Sequence, residues 1–213
     1  MNKRDELISE LAADLKPVTG APRPASLAML SLIIGTAVTL ALLLSLGELR
    51  PGLQQQVSSS PRFLLESIIG AAAVGTLFFS GLQLAVPAMH NLIKQVTIPL
   101  TLLSVWIGFY VYGLFDPALA PSMAGKREHC WLETLLVAMP PLVIAFYICS
   151  RLYPLRGRWS GFLLGLGAGA IPALVMQFTC MYQAQHILTH HLLPGLTVGL
   201  VGVAAGSVFL RPK

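Results

Sequence analysis

The chain has few charged residues: aspartate, glutamate, lysine and arginine together make up 11% of its 213 residues, whereas hydrophobic residues make up 55%. A soluble globular domain typically has about 25% charged residues. Apolar runs of about 20 residues, long enough for a helix to cross about 30 Å of hydrocarbon, recur along the chain. The composition therefore excludes an ordinary soluble domain and predicts a polytopic membrane protein.

The sequence also lacks the residue patterns of common enzymes. It contains no HExxH motif, nucleophile elbow, phosphate-binding loop or paired acids within the apolar runs, so we predict that it is not an enzyme. The runs are nearly free of ionisable residues at their centres, where transporters usually carry them. A small transporter or metal permease stays open as the alternative function, because prolines interrupt several of the runs.

The continuous apolar runs predict an all-α fold, a bundle of six transmembrane helices. The predicted spans are residues 26–46, 63–86, 96–115, 131–150, 159–179 and 191–210. A membrane β-barrel is not predicted, because its strands would alternate in polarity over about 10 residues. A polar tail precedes the first span, so nothing resembles a cleavable signal peptide. We therefore divide the chain into a cytoplasmic tail, residues 1–25, and a transmembrane domain, residues 26–213.

The distribution of basic residues orients this bundle. With the N-terminus in the cytoplasm, the outer loops hold only four of the 14 lysines and arginines, namely Arg50, Arg62, Lys126 and Arg127. The positive-inside rule then places both termini in the cytoplasm. The net charge of +5 indicates contact with anionic membrane lipids. No basic stripe with interleaved aromatic residues is present, so no nucleic-acid partner is predicted.

Two of the three cysteines are predicted at the outer face. Cys130 begins the fourth predicted helix and Cys180 closes the fifth, whereas Cys149 ends the fourth helix at the inner face. Cys149 is about 28 Å from Cys130 along a helix, too far for a disulfide, so the topology allows only Cys130 and Cys180 to pair. Three interpretations stay open: a redox-responsive or metal-responsive thiol pair, a static disulfide, or unpaired cysteines that pack as small apolar residues.

Four histidines are predicted on the same side as this cysteine pair. They are His129, His186, His190 and His191. Thiolates combined with imidazoles suit zinc, copper(I) or cadmium, so we treat all four as candidate metal ligands. Their spacing matches no local zinc finger, so the fold would have to bring them together. The alternative is that they are ordinary side chains of the membrane interface. His191 is the strongest candidate, because it begins the sixth helix close behind Cys180.

The tail predicts a short amphipathic helix that binds a partner. Its apolar side comprises Leu7, Ile8, Leu11, Leu15 and Val18, and an acidic row beside it comprises Glu6, Glu10 and Asp14. A helix this short is marginal alone in water, so its apolar side needs a partner. The acidic side is unsuited to an anionic membrane surface. We therefore predict a protein partner with an apolar groove and a basic rim; the alternative partner is the inner loops of the same bundle.

Prolines and glycines predict two features of helix packing. Pro140 and Pro141 lie near the middle of the fourth helix, where they remove backbone hydrogen bonds and predict a hinge, although a permanent kink explains them equally well. Glycines recur at close spacing in the last two helices: Gly161, Gly165 and Gly169, then Gly195, Gly199, Gly202 and Gly206. Small residues at such spacing let helices approach closely, within the chain or in a homodimer.

Three segments carry a family resemblance: LISELAADLKPV before the six spans, HCWLETLLVAMPP from His129, and FTC at 178–180 followed by HLLP. Together they resemble the NrsF family, membrane-bound negative regulators of sigma factors. The resemblance implies a bacterial inner-membrane anti-sigma factor. Residues 7–18 would hold an extracytoplasmic-function sigma factor, and Cys130 with Cys180 would release it by sensing metal or oxidative stress. We expect no resident cofactor; the candidate ligand is a transient heavy or transition metal at the two cysteines.

Overall fold

The computed structural model describes residues 2–13, 23–86 and 91–211, and the part of the chain that it describes is helical, without a strand. The helices are α1 (Lys3–Ala13), α2 (Pro24–Leu46), α3 (Leu53–Ser59), α4 (Pro61–Gln83), α5 (Leu92–Tyr112), α6 (Cys130–Ser150) and α7 (Gly157–Thr179). The last helical segment consists of α8 (Ala184–His186), a π-helix (Ile187–Leu192) and α9 (Leu193–Phe209).

Six helical segments among the described residues are long and apolar enough to cross a membrane: α2, α4, α5, α6, α7 and the continuous segment Ala184–Phe209. The predicted all-α fold with six spans is therefore confirmed. We call the end of the bundle where α2 begins and α9 ends the terminal end. We call the opposite end, where α6 begins and α7 ends, the cysteine end.

Local capping explains why α4 and α5 begin earlier than the hydrophobic pattern predicted. The Ser60 side chain accepts a hydrogen bond from the backbone N–H of Phe63, so α4 begins at Pro61. Asn91 does the same for Ile93 at a distance of 2.9 Å, so α5 begins at Leu92. Serine and asparagine are favoured at such positions because they satisfy donors that the first helical turn leaves free.

The close packing predicted from the glycines is found between α7 and α9. A Cβ atom added at Gly161 would overlap the carbonyl oxygen of Gly202, and one added at Gly169 would overlap that of Gly195. The two backbones therefore touch with no side chain between them, as small residues allow in membranes. α7 is the most buried of the six spans, so it forms the centre of the bundle, and α9 is fixed against it.

Helix α6 connects the two ends of the bundle without interruption. It runs from Cys130 to Ser150 with Pro140 and Pro141 inside it. Pro141 packs on α2, where a Cβ atom added at Gly35 would lie 3.0 Å from the Pro141 Cβ. Cys149, near the terminal end, is fully buried in the apolar core, which matches its predicted packing role. The role of the prolines as a hinge stays a prediction.

The N-terminal helix α1 is described over Lys3–Ala13, and its predicted stop at Pro17 lies outside the described residues. None of its residues is buried, and the side chains of Leu7, Ile8 and Leu11 are 55–62% exposed. Glu10 is exposed on the same helix. Three of the predicted partner-binding residues lie outside the described residues: Asp14, Leu15 and Val18. That α1 binds a partner stays a prediction.

Candidate functional site

The two cysteines at the cysteine end of the bundle meet in space. Cys130 is the first residue of α6, and Cys180 directly follows α7. Their sulfur atoms are 3.0 Å apart, both are free thiols, and both side chains are buried. The pair that the topology predicted therefore lies within contact distance.

Two histidines complete a cluster around this pair. One ligand atom each from Cys130, Cys180, His186 and His191 lies within 4.8 Å of all the others. The Nε2 atom of His186 is 3.4 Å from the sulfur of Cys180. Two thiols and two imidazoles at these separations are a donor set that zinc and related borderline or soft metals prefer. We call these four residues the Cys2His2 cluster.

The π-helix at residues 187–192 explains how His186 and His191 reach the same site. In an α-helix, residues five apart are rotated by about 140° around the axis, because each residue adds about 100°. A π-helix bonds residue i to residue i+5, so residues five apart lie close together one turn on. The ring centroids of His186 and His191 are accordingly only 4.9 Å apart. Such π-helical turns are frequent at functional sites.

The other two candidate ligands lie outside the Cys2His2 cluster. His129 directly precedes α6, and its side chain is exposed. The ring of His190 stacks on that of His186 with their centroids 4.4 Å apart. The Nδ1 atom of His190 lies 2.7 Å from the hydroxyl oxygen of Thr189. His190 therefore supports the His186 ring rather than joining the cluster.

Thr134, one turn into α6, holds the His191 ring. Its hydroxyl donates to the carbonyl oxygen of Cys130 at 2.7 Å and lies 3.4 Å from Nδ1 of His191. The other ring nitrogen, Nε2, is buried and has no hydrogen-bond partner among the described residues. Histidines that bind metals commonly use one nitrogen as ligand while a neighbour orients the other. His191 has this arrangement.

The electrostatic environment favours the thiolate of Cys180. The hydrogen bond from the Cys130 thiol lowers the pKa of Cys180, burial acts in the opposite direction, and the imidazoles of His186 and His191 lower the pKa further. The pKa of Cys180 therefore lies below its ordinary value. Because the thiolate is the form that binds a metal, this environment prepares Cys180 to act as a ligand.

Arg50, which the sequence presented only as an outer-loop charge, fixes the backbone of Cys180. Its side chain is 2% exposed, and its guanidinium lies between the rings of Phe63 and Tyr182, 5.7 and 5.5 Å from their centroids. Its backbone N–H donates to the carbonyl of Phe178 at 3.0 Å, and Nη1 donates to that of Cys180 at 3.4 Å. A cation that caps the last carbonyls of a helix also opposes the helix dipole. Arg50 therefore stabilises the end of α7 where Cys180 lies.

Arg127 fixes the start of α6, where Cys130 lies. Its Nη1 donates to Glu133 and its Nη2 to the carbonyl oxygen of Leu43, both at 3.0 Å. The sulfur of Cys130 lies 3.2 Å from the carbonyl oxygen of Arg127. The start of α6 is thereby joined to the end of α2. Sequence reasoning missed this role, although the presence of arginines on the side that the positive-inside rule leaves poor in them was a signal.

A buried acid fixes the segment that follows Cys180. The Tyr182 hydroxyl donates to Oε2 of Glu66 at 2.8 Å, and Nε of Arg62 donates to the other carboxylate oxygen at 3.3 Å. A buried carboxylate needs such partners, because an unpaired charge in an apolar interior is costly. Residues 180–182 are thus attached to α4 as well as to the α2–α3 loop. The cluster is held on rigid elements from several sides.

Comparison with known proteins identifies the family of the chain. The family model described as "Negative regulator of sigma F" matches residues 11–211. A curated relative from Azospira oryzae, a probable anti-sigma-F factor NrsF, is 27% identical over 98% of this chain and 99% of its own length. No solved structure matches the chain. The match covers all six spans and the Cys2His2 cluster, and the chain therefore belongs to the NrsF family of negative regulators of sigma F.

Proposed function

We propose that the protein is an inner-membrane anti-sigma factor that releases an extracytoplasmic-function sigma factor when the Cys2His2 cluster captures a metal ion. The observation that carries this proposal is the convergence of Cys130, Cys180, His186 and His191, with all four ligand atoms within 4.8 Å of one another. Family membership supports the anti-sigma role, and the cluster is the proposed binding site for the metal ion that acts as the signal. The termini lie in the cytoplasm, as the basic residues predict, so the cluster faces the periplasm.

The donor set suits a four-coordinate borderline or soft metal. Zinc binds cysteine sulfur at about 2.3 Å and histidine nitrogen at about 2.0–2.1 Å in a tetrahedron. The sulfurs of the pair lie 3.0 Å apart and would have to move further apart to fit this geometry. The unpartnered Nε2 of His191 is a ready ligand. Metal binding removes the protons from the thiols, and the lowered pKa of Cys180 favours this.

Oxidation of the thiols to a disulfide is the second candidate signal, and the contact between the two sulfurs favours it. A disulfide needs only Cys130 and Cys180, however, and leaves the placement of His186 and His191 without a role. The two imidazoles therefore favour the metal. A bound metal would also shield the thiolates from oxidants, so the two signals would compete for the same pair.

Helix α6 offers the route from the cluster to the cytoplasm. A metal ion would join Cys130, the first residue of α6, to the segment 180–191 that α7 and α9 hold in place. Pro140 and Pro141 give α6 a site for bending at mid-membrane. A shift of the outer part of α6 would then move the loop after Ser150 at the terminal end. This movement would weaken the binding of α1 to the sigma factor. The equilibrium between the bound and released states would then shift towards release.

Placing a charge on the apolar side of α1 tests the partner-binding role. Leu7 and Leu11 are exposed on this helix, and we expect them to enter a groove of the sigma factor. Changing Leu7→Glu and Leu11→Glu together should lower the capture of the cognate sigma factor by at least about 10-fold, because buried anchor side chains dominate such interfaces. Co-purification of the sigma factor with the full-length protein in detergent measures this capture.

Ser9 provides the matched control for this experiment. It lies about 200° around the helix from Leu7, on the opposite side, so Ser9→Glu adds a similar charge away from the apolar face. We expect Ser9→Glu to keep normal capture. Equal capture by the leucine variant and the serine variant would contradict the role of α1. Zinc added to the wild-type complex should release the sigma factor, and a complex that survives saturating zinc would contradict the metal signal.

A further inference from the structure

Two cavities lie at the terminal end of the bundle, far from the Cys2His2 cluster. The larger lies beside α6 and α9, and the smaller lies between the start of α7 and the end of α9. The larger has a volume of about 860 Å³ and apolar walls that include Leu142, Val143, Phe146, Ala205 and Phe209. The smaller has a volume of about 380 Å³. Arg211 lines both cavities, so they adjoin each other at this residue. We call the larger cavity the α6–α9 groove.

The α6–α9 groove opens sideways, towards the hydrocarbon of the membrane. Its deep end at Leu142 lies eight residues before the end of α6 at Ser150, about 12 Å along the helix axis. Val143, Tyr147 and Phe209 on its walls are 65, 60 and 72% exposed. Tyrosine side chains favour the boundary between hydrocarbon and head groups, and we place Tyr147 at this boundary. The groove therefore extends from the interface into the apolar layer.

The mouth of the groove is strongly basic. Arg151 and Arg211 line the larger cavity, and Arg156, Arg158 and Arg211 line the smaller one. The described residues that line the two cavities include no aspartate or glutamate. Arginines gathered at these two adjoining openings attract an anion, because a counter-charge between them reduces their mutual repulsion. Arginine is also the side chain best suited to bind a phosphate through two parallel hydrogen bonds.

Internal contacts hold the two arginines of the larger cavity in position. Nη2 of Arg151 donates to the hydroxyl of Tyr147 at 2.8 Å, and the guanidinium lies 4.9 Å from the centroid of that ring. Nε of Arg211 donates to the carbonyl of Ser207 at 2.6 Å. Each guanidinium has five N–H donors, so one internal bond leaves others for a ligand. The cations are thus placed for a phosphate at the level of the head groups.

We propose that the α6–α9 groove is a binding site for one anionic phospholipid. An acyl chain fills the apolar cavity, and the phosphate binds Arg151 and Arg211. Basic pockets between transmembrane helices on the cytoplasmic side recognise such lipids, and the positive-inside rule predicts this side for the terminal end. The helix α1 is a less suitable occupant of the groove. Insertion of its apolar side would place Glu6 and Glu10 in the hydrocarbon, where acidic side chains are energetically costly. The proposal does not depend on the anti-sigma role.

Native mass spectrometry of the full-length protein in detergent tests this site. The probes are dioleoylphosphatidylglycerol, which is anionic, and dioleoylphosphatidylcholine, which has the same chains and no net charge. We expect one tightly held phosphatidylglycerol with at least 10-fold higher affinity than phosphatidylcholine. The double variant Arg151→Gln and Arg211→Gln should bind phosphatidylglycerol at least 5-fold more weakly than the wild type. Lys94→Gln, which removes a basic residue of α5 that lines neither cavity, should leave the affinity unchanged.

Two further variants separate the lipid from other occupants. Ala205→Trp fills the apolar cavity and keeps both arginines, so it should weaken the binding of phosphatidylglycerol even though the head-group contacts remain. A chain without residues 2–13 should bind the lipid as the wild type does. Equal affinity for the two lipids, or full binding by the double arginine variant, would overturn the proposal. A marked gain of lipid binding without residues 2–13 would also overturn it, because it would identify α1 as the occupant.

Discussion

Cys180→Ser is expected to lower the affinity of the purified protein for Zn²⁺ by at least about 100-fold. The sulfur of Cys180 contacts both Cys130 and His186, so its removal takes away the central donor of the Cys2His2 cluster. Loss of a residue that merely orients a ligand typically costs 10-fold to 100-fold in affinity, and the loss of a direct ligand costs at least as much. Competition with a chromophoric zinc chelator in detergent measures the change.

Cys149→Ser is the matched control for this experiment. Cys149 is a buried cysteine near the other end of α6, and its substitution keeps the cluster intact. We expect Cys149→Ser and His129→Gln to bind zinc like the wild type, whereas His191→Gln should behave like Cys180→Ser. Bound sigma factor should remain on the Cys180→Ser protein when zinc is added. Undiminished zinc affinity of Cys180→Ser would refute the metal site, whatever the fate of the sigma factor.

Much of the fold could be predicted because a membrane span imposes a simple physical requirement. Every backbone polar group in hydrocarbon must be paired internally, so an apolar run of about 20 residues becomes a helix. Six such runs gave six helices. The pairing of Cys130 with Cys180 followed from the same topology, since only these two thiols fall at one end. The helix starts at Pro61 and Leu92 were harder to place, because they depend on the single capping residues Ser60 and Asn91.

The Cys2His2 cluster could be predicted only in part. Periodicity assumes 3.6 residues per turn throughout, so it cannot show the π-helical turn at residues 187–192. That turn brings His191 beside His186 and leaves His190 stacked outside the cluster. The role of Arg50 was equally hidden, because it depends on contacts with Phe63, Phe178 and Tyr182, which lie in distant parts of the sequence. Such contacts follow from tertiary packing, which local patterns do not encode.

Gly169→Ala is expected to separate α7 from α9 and to weaken the protein and its metal site together. The added methyl group would overlap the carbonyl oxygen of Gly195, and neither backbone has a flexible side chain that could yield. Overpacking of a close contact typically costs on the order of 1–3 kcal/mol of unfolding free energy. Thermal denaturation in detergent should therefore show a clearly lower midpoint for this variant.

The same substitution reaches the Cys2His2 cluster although every ligand is kept. Cys180 directly follows α7, and His191 lies just before α9, so the distance between these two helices sets the distance between the two ligands. We expect zinc affinity to fall by about 10-fold, as it does when the groups that orient a metal ligand are disturbed. Zinc titration of the folded Gly169→Ala protein below its melting midpoint measures this loss separately from unfolding.

Gly108→Ala is the matched control for this experiment. It shows whether replacing any glycine of a membrane helix has the same effect as disturbing the contact between α7 and α9. Gly108 lies in α5, and a Cβ atom added there would meet no atom within 4 Å. This variant should melt and bind zinc like the wild type. Identical melting and zinc affinity for the two variants would show that the glycine contact between α7 and α9 does not hold the site. A lower midpoint and weaker zinc binding for Gly169→Ala alone would establish that the backbone contact between α7 and α9 positions the Cys2His2 cluster.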